Sequence, residues 1–104
     1  MNTNTISSLL CIPKMEKNIK IEYIQNIFNQ LKIGTVEKII EIPTRNDPLS
    51  KRVQIKINWN NTLKSQYIQS RIAQDQPINI VHAEPHFWKI FLYKEWENRS
   101  RSKP

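Results

Sequence analysis

The sequence predicts an α+β domain in which two helices pack on one face of a four-stranded antiparallel sheet. Three observations support this prediction. Cations or an amide alternate with Val and Ile across residues 52–57, as in a strand with one buried face. Apolar residues recur at spacings of three and four across 21–31, as on an amphipathic helix. The elements follow one another as strand, helix, strand, strand, helix, strand, which is the order of the ferredoxin-like βαββαβ sandwich.

The first half of the chain supplies a strand, a helix and a second strand. Residues 9–15 are typical of a short strand, which Pro13 is expected to end because proline has no amide hydrogen for a ladder. Asn18 is a candidate N-cap for the helix, and Gly34, the only glycine, is expected to end it. The β-branched run at 36–42 favours a second strand.

The second half begins with a turn, since residues 43–50 contain two prolines and an Asn-Asp pair. The alternating segment that follows forms the third strand. Asn60 or Asn61 is expected to cap a second helix that runs to about Ala73, before the sequence "QDQP" ends it. Residues 78–83 form the fourth strand. The apolar positions of the second helix are Leu63, Tyr67, Ile68 and Ile72.

The composition is that of one globular domain with a basic surface. The chain has 104 residues, of which 38% are hydrophobic and 24% charged, and a formal net charge of +7. We expect a flexible N-terminus at 1–7, a single domain at 8–96 and a basic disordered tail at 97–104. No apolar run approaches the roughly 20 residues that span a bilayer, so no membrane partner is expected. The lone Cys11 cannot form an internal disulfide, which favours a reducing, intracellular compartment.

The polar positions of the third strand define a candidate binding face. Since Val53, Ile55 and Ile57 must face the helices, the intervening cations and amide lie on the opposite, open face of the sheet. A basic face is suited to a phosphate-rich partner, although an ordinary solvated surface has the same composition.

No catalytic or metal-binding motif emerges. His82 and His86 are four residues apart, but Pro85 between them argues against a helix, and no further Cys or His completes a zinc site. Cys11 has no neighbouring base to activate it. With one glycine there is no phosphate-cradling loop. We therefore interpret the protein as a non-enzyme without a cofactor or metal.

An aromatic segment, "FWKIFLYKEW" at residues 87–96, follows the fourth strand. Three interpretations are open. It forms an extra strand or short helix that closes the core, or it folds over the open face and presents Trp88 with Lys89 to a nucleic acid. The third interpretation is a patch for a protein partner, since aromatic residues are enriched at interfaces.

Several stretches together resemble the RNA recognition motif. "LCIPKM" and "SKRVQIKI" lie where that family has its first-strand hexapeptide and third-strand octapeptide, and "IQNIFNQLKIGTVEKI" resembles its first helix, glycine turn and second strand. More narrowly, "IPKM", "LKIGTVEKI", "RVQIKINWN" and "EPHFWKI" resemble small RRM-like proteins of large DNA viruses. The resemblance implies low-specificity binding of single-stranded RNA or other nucleic acid, in the host cytoplasm or nucleus or in a virion.

The resemblance also assigns site residues. The family stacks bases on aromatic side chains of its central strands, and the matching positions here are Cys11, Arg52 and Gln54. Because none is aromatic, we expect weaker and more electrostatic binding. A protein-interaction or structural module, for example in a virion, is the alternative. The candidate nucleic-acid-binding residues are Cys11, Lys14, Arg45, Lys51, Arg52, Gln54, Lys56, Trp88, Lys89, Arg99 and Arg101.

Overall fold

The computed structural model describes residues 6–83 and 86–93, which form two helices and five strands. All strand pairs are antiparallel, so the α+β class is confirmed. Neither helix in these ranges is long and apolar enough to cross a membrane. The predicted tail at 97–104, with Arg99 and Arg101, lies outside the described residues. The elements are β1 Ser7–Glu16, α1 Ile21–Leu31, β2 Gly34–Pro43, β3 Ser50–Trp59, α2 Leu63–Ala73, β4 Ile78–Ala83 and β5 His86–Leu92.

The predicted four-stranded, ferredoxin-like sheet is wrong. The strand order is β2-β3-β1-β5-β4, so the aromatic segment enters the sheet as β5 and pairs with β1. β4, which the ferredoxin-like order would place beside β1, lies at the sheet edge and pairs with β5. β5 carries two large core side chains, Trp88 and Ile90, each 2% exposed. A strand with this apolar content is suited to an interior position, whereas the shorter β4 exposes Val81 at the edge.

A single core lies between the helices and one face of the sheet. Val53, Ile55 and Ile57 are 0% exposed, which confirms the alternation predicted for the third strand. Full burial of such a side chain contributes roughly 1.5–3 kcal/mol. The helices add Ile24, Phe28, Ile68 and Ile72 to the same cluster, and the other strands add Leu10, Ile12, Met15, Ile80, Trp88 and Ile90.

The boundaries of α1 differ from the prediction at both ends. Lys20, not Asn18, is the N-cap, and its side chain makes no capping hydrogen bond. At the other end Lys32 adopts the left-handed conformation, with φ 55° and ψ 43°, and its amide donates to the Asn29 carbonyl. The helix therefore ends through a non-glycine residue, two positions before Gly34.

Gly34 begins β2 instead of ending α1, and its role is close approach to a neighbouring strand. It lies opposite Trp59 of β3. A Cβ at this position would stand 2.2 Å from the Asn58 carbonyl oxygen and 2.9 Å from the Trp59 Cα. Both neighbours are backbone atoms, so only glycine fits without moving the chain.

The second helix has a different cap and a narrower buried face than predicted. Thr62, rather than Asn60 or Asn61, is the N-cap, and its hydroxyl accepts a hydrogen bond from the Ser65 amide at 3.1 Å. Leu63 and Tyr67 are 83% and 59% exposed, contrary to the prediction, whereas Ile68 and Ile72 are buried as predicted. Ser65 is 0% exposed and occupies the place expected of a larger apolar residue.

Pro13 does not end β1, contrary to the prediction from the sequence. The register between β1 and β3 is interrupted between Ile12 and Met15, and the strand resumes beyond this bulge. Pro13 and Lys14 lie within the bulge, where a residue without an amide hydrogen breaks no ladder bond.

Candidate nucleic-acid interface

The face of the sheet opposite the helices, called here the open face, has one row of residues, called here the central row, that crosses four strands. Gln54 of β3 lies opposite Cys11 of β1 and Ile40 of β2, and Cys11 lies opposite Phe91 of β5. Side chains of directly opposed residues lie on the same side of a sheet. Because Gln54 alternates with the buried Val53 and Ile55, this row faces away from the core.

The same register assigns the rest of the open face. Phe87 and Lys89 of β5 lie opposite Val81 and Asn79 of β4. Phe87 is 50% exposed and Val81 is 55% exposed, so this end of the face is open to solvent. The remaining members, from β1, β2 and β3, are Ser7, Leu9, Thr35, Lys38, Ile42, Arg52, Lys56 and Asn58.

The aromatic segment lies within the sheet as far as Leu92, which confirms the interpretation of an extra strand. Successive residues of a strand point to opposite faces, so Phe87, Lys89 and Phe91 lie on the open face while Trp88 lies in the core. The alternation of residues in this segment does not by itself indicate which set faces the helices. Phe87 and Phe91 are the functional candidates that sequence reasoning missed.

Trp88 is a core residue, so its predicted place beside Lys89 on a binding surface is wrong. Its indole is 2% exposed. The ring stacks on His82 at a centroid distance of 4.3 Å and meets Tyr23 edge-on at 6.0 Å. These contacts lie on the helix side of the sheet, away from Cys11 and the rest of the open face.

The cations of β3 divide between the two faces. Arg52 and Lys56 are exposed on the open face, where Lys56 Nζ lies 3.4 Å from Glu37 Oε1. Among the described residues, Arg52 has no carboxylate oxygen within 4.0 Å. Its guanidinium is therefore available for an anion.

Lys51 does not lie on the open face, contrary to its predicted role. Lys51 lies on the same face of β3 as Val53 and is 5% exposed, and its Nζ lies 2.5 Å from Glu41 Oε2. Its ammonium also donates to the Ile19 carbonyl. These bonds connect β3 to β2 and to the segment before α1, and removing Glu41 would leave the buried charge of Lys51 without its carboxylate.

Cys11 is an inert member of the central row. The residue is 8% exposed. Burial raises the pKa of its thiol, and the positive charge of Arg52 opposes the shift only in part. A thiol with a raised pKa is protonated near neutral pH and is a poor nucleophile.

A concave pocket, called here the loop pocket, lies at the Arg52 end of the open face. Its volume is about 410 Å³. Three cations predicted from the sequence, Lys14, Arg45 and Arg52, are brought together in its lining. The remaining lining residues come from the β1 bulge and from the end of β2 through the β2–β3 loop: Pro13, Ile42, Pro43, Thr44, Asn46, Asp47 and Ser50.

Asp47 organises the loop that forms this pocket. Its carboxylate accepts hydrogen bonds from the Ser50 hydroxyl at 2.8 Å and from the Leu49 amide at 3.1 Å. These two bonds, the Ser50 bond first, lower the pKa of Asp47. Lys14 Nζ lies 3.7 Å from the same carboxylate, and the Thr44 hydroxyl donates to the Asp47 carbonyl at 2.6 Å.

The histidines form no metal site in the part of the chain that the structure describes. No group of three His, Cys, Asp or Glu side chains comes together there. The rings of His82 and His86 are 6.3 Å apart, and His82 Nδ1 lies 3.0 Å from the Tyr23 hydroxyl. His82 therefore has a partner in α1 and packs on Trp88.

Comparisons with protein-family models, with curated proteins and with solved structures find no match for this chain.

Proposed function

We propose that the protein binds single-stranded RNA, or another single-stranded nucleic acid, across the open face with low sequence specificity. One observation carries the proposal: two phenylalanines of β5, Phe87 and Phe91, share this face with the cations Arg52, Lys56 and Lys89. Proteins that bind single strands combine aromatic rings, on which bases stack, with cations that follow the phosphate backbone.

The spacing of the two rings is suited to separate bases. Phe87 and Phe91 are four residues apart on one strand, which corresponds to about 13 Å at the usual rise of a β-strand. Phe91 lies in the central row beside Cys11, while Phe87 lies near the sheet edge. Each stacked base contributes about 1–3 kcal/mol by alanine substitution. Since every base has a π-face and phosphates carry no sequence information, this mode of binding discriminates little between sequences.

The resemblance to the RNA recognition motif supports the same proposal. The family uses the sheet face opposite its helices and places its aromatic rings on the central strands. Here the matching positions are Cys11, Arg52 and Gln54, and the rings come instead from β5, which lies directly beside β1. An arginine also stacks on bases and pairs with phosphate, so Arg52 retains part of the family's role.

A protein partner is the second candidate, because the open face also carries apolar side chains. Ile40 and Ile42 of β2 and Leu9 of β1 are only partly buried, and Val81 is 55% exposed. Partly exposed aliphatic residues on the same face as Phe87 are suited to binding a protein surface more than a nucleic acid.

The test is binding of a fluorescein-labelled oligouridylate, followed by anisotropy at low salt. We expect Phe87→Ala and Phe91→Ala each to weaken binding by about 1–3 kcal/mol. The matched control is Tyr67→Ala, which removes an aromatic ring of similar exposure, 59%, from α2. Circular dichroism checks that each variant is folded.

Two results would reject the proposal. One is a wild-type protein that fails to bind the oligomer even at low salt. The other is equal weakening by the Tyr67 control, which would show that the open face is not the binding surface. Of the two, only the failure to bind would favour the protein-binding candidate.

A further inference from the structure

The loop pocket is distinct from the row of aromatic and polar residues across the open face. Arg52 and Ile42 are the last open-face residues before the β2–β3 loop, and both line the pocket. Beyond them the lining continues into Thr44, Arg45 and Asn46 of the loop, which no strand pairs. A nucleic-acid strand that crossed the open face from Phe91 towards Arg52 would therefore reach the loop pocket next.

The charges of the loop pocket favour an anion with two negative charges. Lys14, Arg45 and Arg52 contribute three positive charges and Asp47 one negative charge, which leaves a net charge of +2 in the lining. Both oxygens of the Asp47 carboxylate are already bonded within the loop, to Leu49 and to Ser50.

The two arginines are the free cations of this pocket. Among residues 6–83 and 86–93, neither Arg45 nor Arg52 lies within 4.0 Å of a carboxylate oxygen. The Lys14 side chain is 76% exposed, and its Nζ lies 3.7 Å from Asp47 Oδ2, which is a long distance for an ion pair. The ammonium can therefore also turn towards a second anion. A guanidinium presents a planar fork of donors that matches the oxygens of a phosphate group.

We propose that the loop pocket binds the terminal phosphate of a single-stranded nucleic acid whose bases lie on the open face. This inference rests on the proposed function. A terminal phosphomonoester carries close to two negative charges near neutral pH, whereas a backbone phosphodiester carries one, so the net charge of the pocket matches the end group better. Pro13 and Pro43 add rigid walls on the β1 and β2 sides, because proline fixes its own backbone dihedral.

The test compares oligouridylates of one length that carry a 5′-phosphate, a 3′-phosphate or hydroxyl groups at both ends, each titrated by calorimetry. We expect one phosphorylated end to bind about tenfold more tightly than the hydroxyl ends, as for hydrogen bonds to a charged group. The phosphorylated end that binds more tightly, 5′ or 3′, identifies the direction in which the oligomer crosses the sheet. Arg45→Gln should abolish the advantage, which means that it weakens the phosphorylated oligomer about tenfold more than the hydroxyl-ended oligomer. Lys64→Gln, which removes an exposed cation from α2, should retain it.

The outcomes separate this inference from the proposed function. Equal affinity for all the oligomers overturns the terminal-phosphate site and leaves binding by the open face intact. If Arg45→Gln weakens the hydroxyl-ended oligomer as much as the phosphorylated one, the pocket holds an internal phosphate and the inference is also overturned. If the wild-type protein binds none of the oligomers, the proposed function fails and this inference fails with it.

Discussion

Phe91 of β5 lies directly opposite Cys11 of β1, and Gln54 of β3 lies on the other side of Cys11. The central row of the open face, which Ile40 of β2 completes, therefore presents an aliphatic side chain, an amide, a thiol and one phenyl ring. A platform for several stacked bases would need rings at more than one of these positions. The arrangement predicts a weak binder whose affinity can be increased by adding an aromatic side chain.

Gln54→Phe should strengthen the binding of single-stranded RNA. The new ring would lie beside Cys11 on the open face, and one additional stacked base is worth about 1–3 kcal/mol. Anisotropy titration of a labelled oligouridylate measures the gain. Gln66→Phe, on the exposed surface of α2, is the matched control and should leave the affinity unchanged. An equal gain in both variants would indicate nonspecific stacking rather than an open-face site.

The dependence of RNA affinity on salt should report contacts with phosphate on the open face. For single strands the logarithm of the affinity falls with the logarithm of salt concentration, with a slope of about −0.7 per neutralised phosphate. The double variant Arg52→Gln, Lys56→Gln should therefore make the slope shallower by about 1.4. Lys20→Gln with Lys64→Gln, two exposed positions on the helix side, is the control. An unchanged slope in the first variant would place the phosphate contacts elsewhere.

Trp88→Ala should destabilise the fold far more than Phe87→Ala, although the two residues are adjacent in β5. The indole of Trp88 is 2% exposed, and truncating a buried aromatic residue costs about 3–5 kcal/mol. The Phe87 ring is 50% exposed, so its loss should cost about 1 kcal/mol or less. Urea denaturation followed by circular dichroism compares the two variants. Similar losses would mean that the inward and outward faces of β5 are wrongly assigned.

The sequence predicts the elements of this fold better than their arrangement. Alternation around Ile55 and the stripe through Ile24 and Phe28 predicted a buried face for β3 and for α1, because both patterns are local. The position of β5 between β1 and β4 is not local. It depends on which of two neighbouring strands fills the core better, and Trp88 and Ile90 decide this only through contacts with distant elements.

The candidate site could be predicted only in part for a related reason. The alternation of residues in β3 predicts that Arg52, Gln54 and Lys56 lie on the open face. The same alternation could have placed Lys51 on the helix side, where it pairs with Glu41. To place Phe87 and Phe91 on the open face, one must know which alternate residues of β5 face the helices, and the sequence does not indicate this. The convergence of Lys14 with Arg45 depends on the β1 bulge, for which Pro13 is the one local signal.

The stability of the domain should fall as the pH falls through the ordinary range of histidine. Burial lowers the pKa of His82, Glu16 opposes this effect, and the positive charge of His86 reinforces it. Because the folded-state pKa lies below the unfolded-state value, the unfolded chain binds the proton more readily. The contribution of neutral His82 is therefore complete above the unfolded-state pKa of about 6.5 and decreases as the pH drops below it.

Urea denaturation at a series of pH values measures this dependence. His82→Gln should make the stability less dependent on pH between about 5 and 7. Tyr23→Phe is an independent control, because it removes the hydroxyl that lies 3.0 Å from His82 Nδ1 without removing the titrating ring. It should lower the stability by about 1 kcal/mol near neutral pH. If His82→Gln leaves the pH profile unchanged, another group accounts for the dependence.

Gly34→Ala should destabilise the protein, although the same substitution commonly stabilises by about 0.4–1 kcal/mol where the backbone permits it. The added methyl group would lie 2.2 Å from the Asn58 carbonyl oxygen and 2.9 Å from the Trp59 Cα, so β2 and β3 would have to separate at this pair. Overpacking of this kind costs about 1–3 kcal/mol. Thr35→Ala, at the next and exposed position of β2, is the matched control and should change the free energy of unfolding by less than about 1 kcal/mol. A stabilising effect of Gly34→Ala in urea denaturation would show that β2 does not approach β3 closely at its first residue.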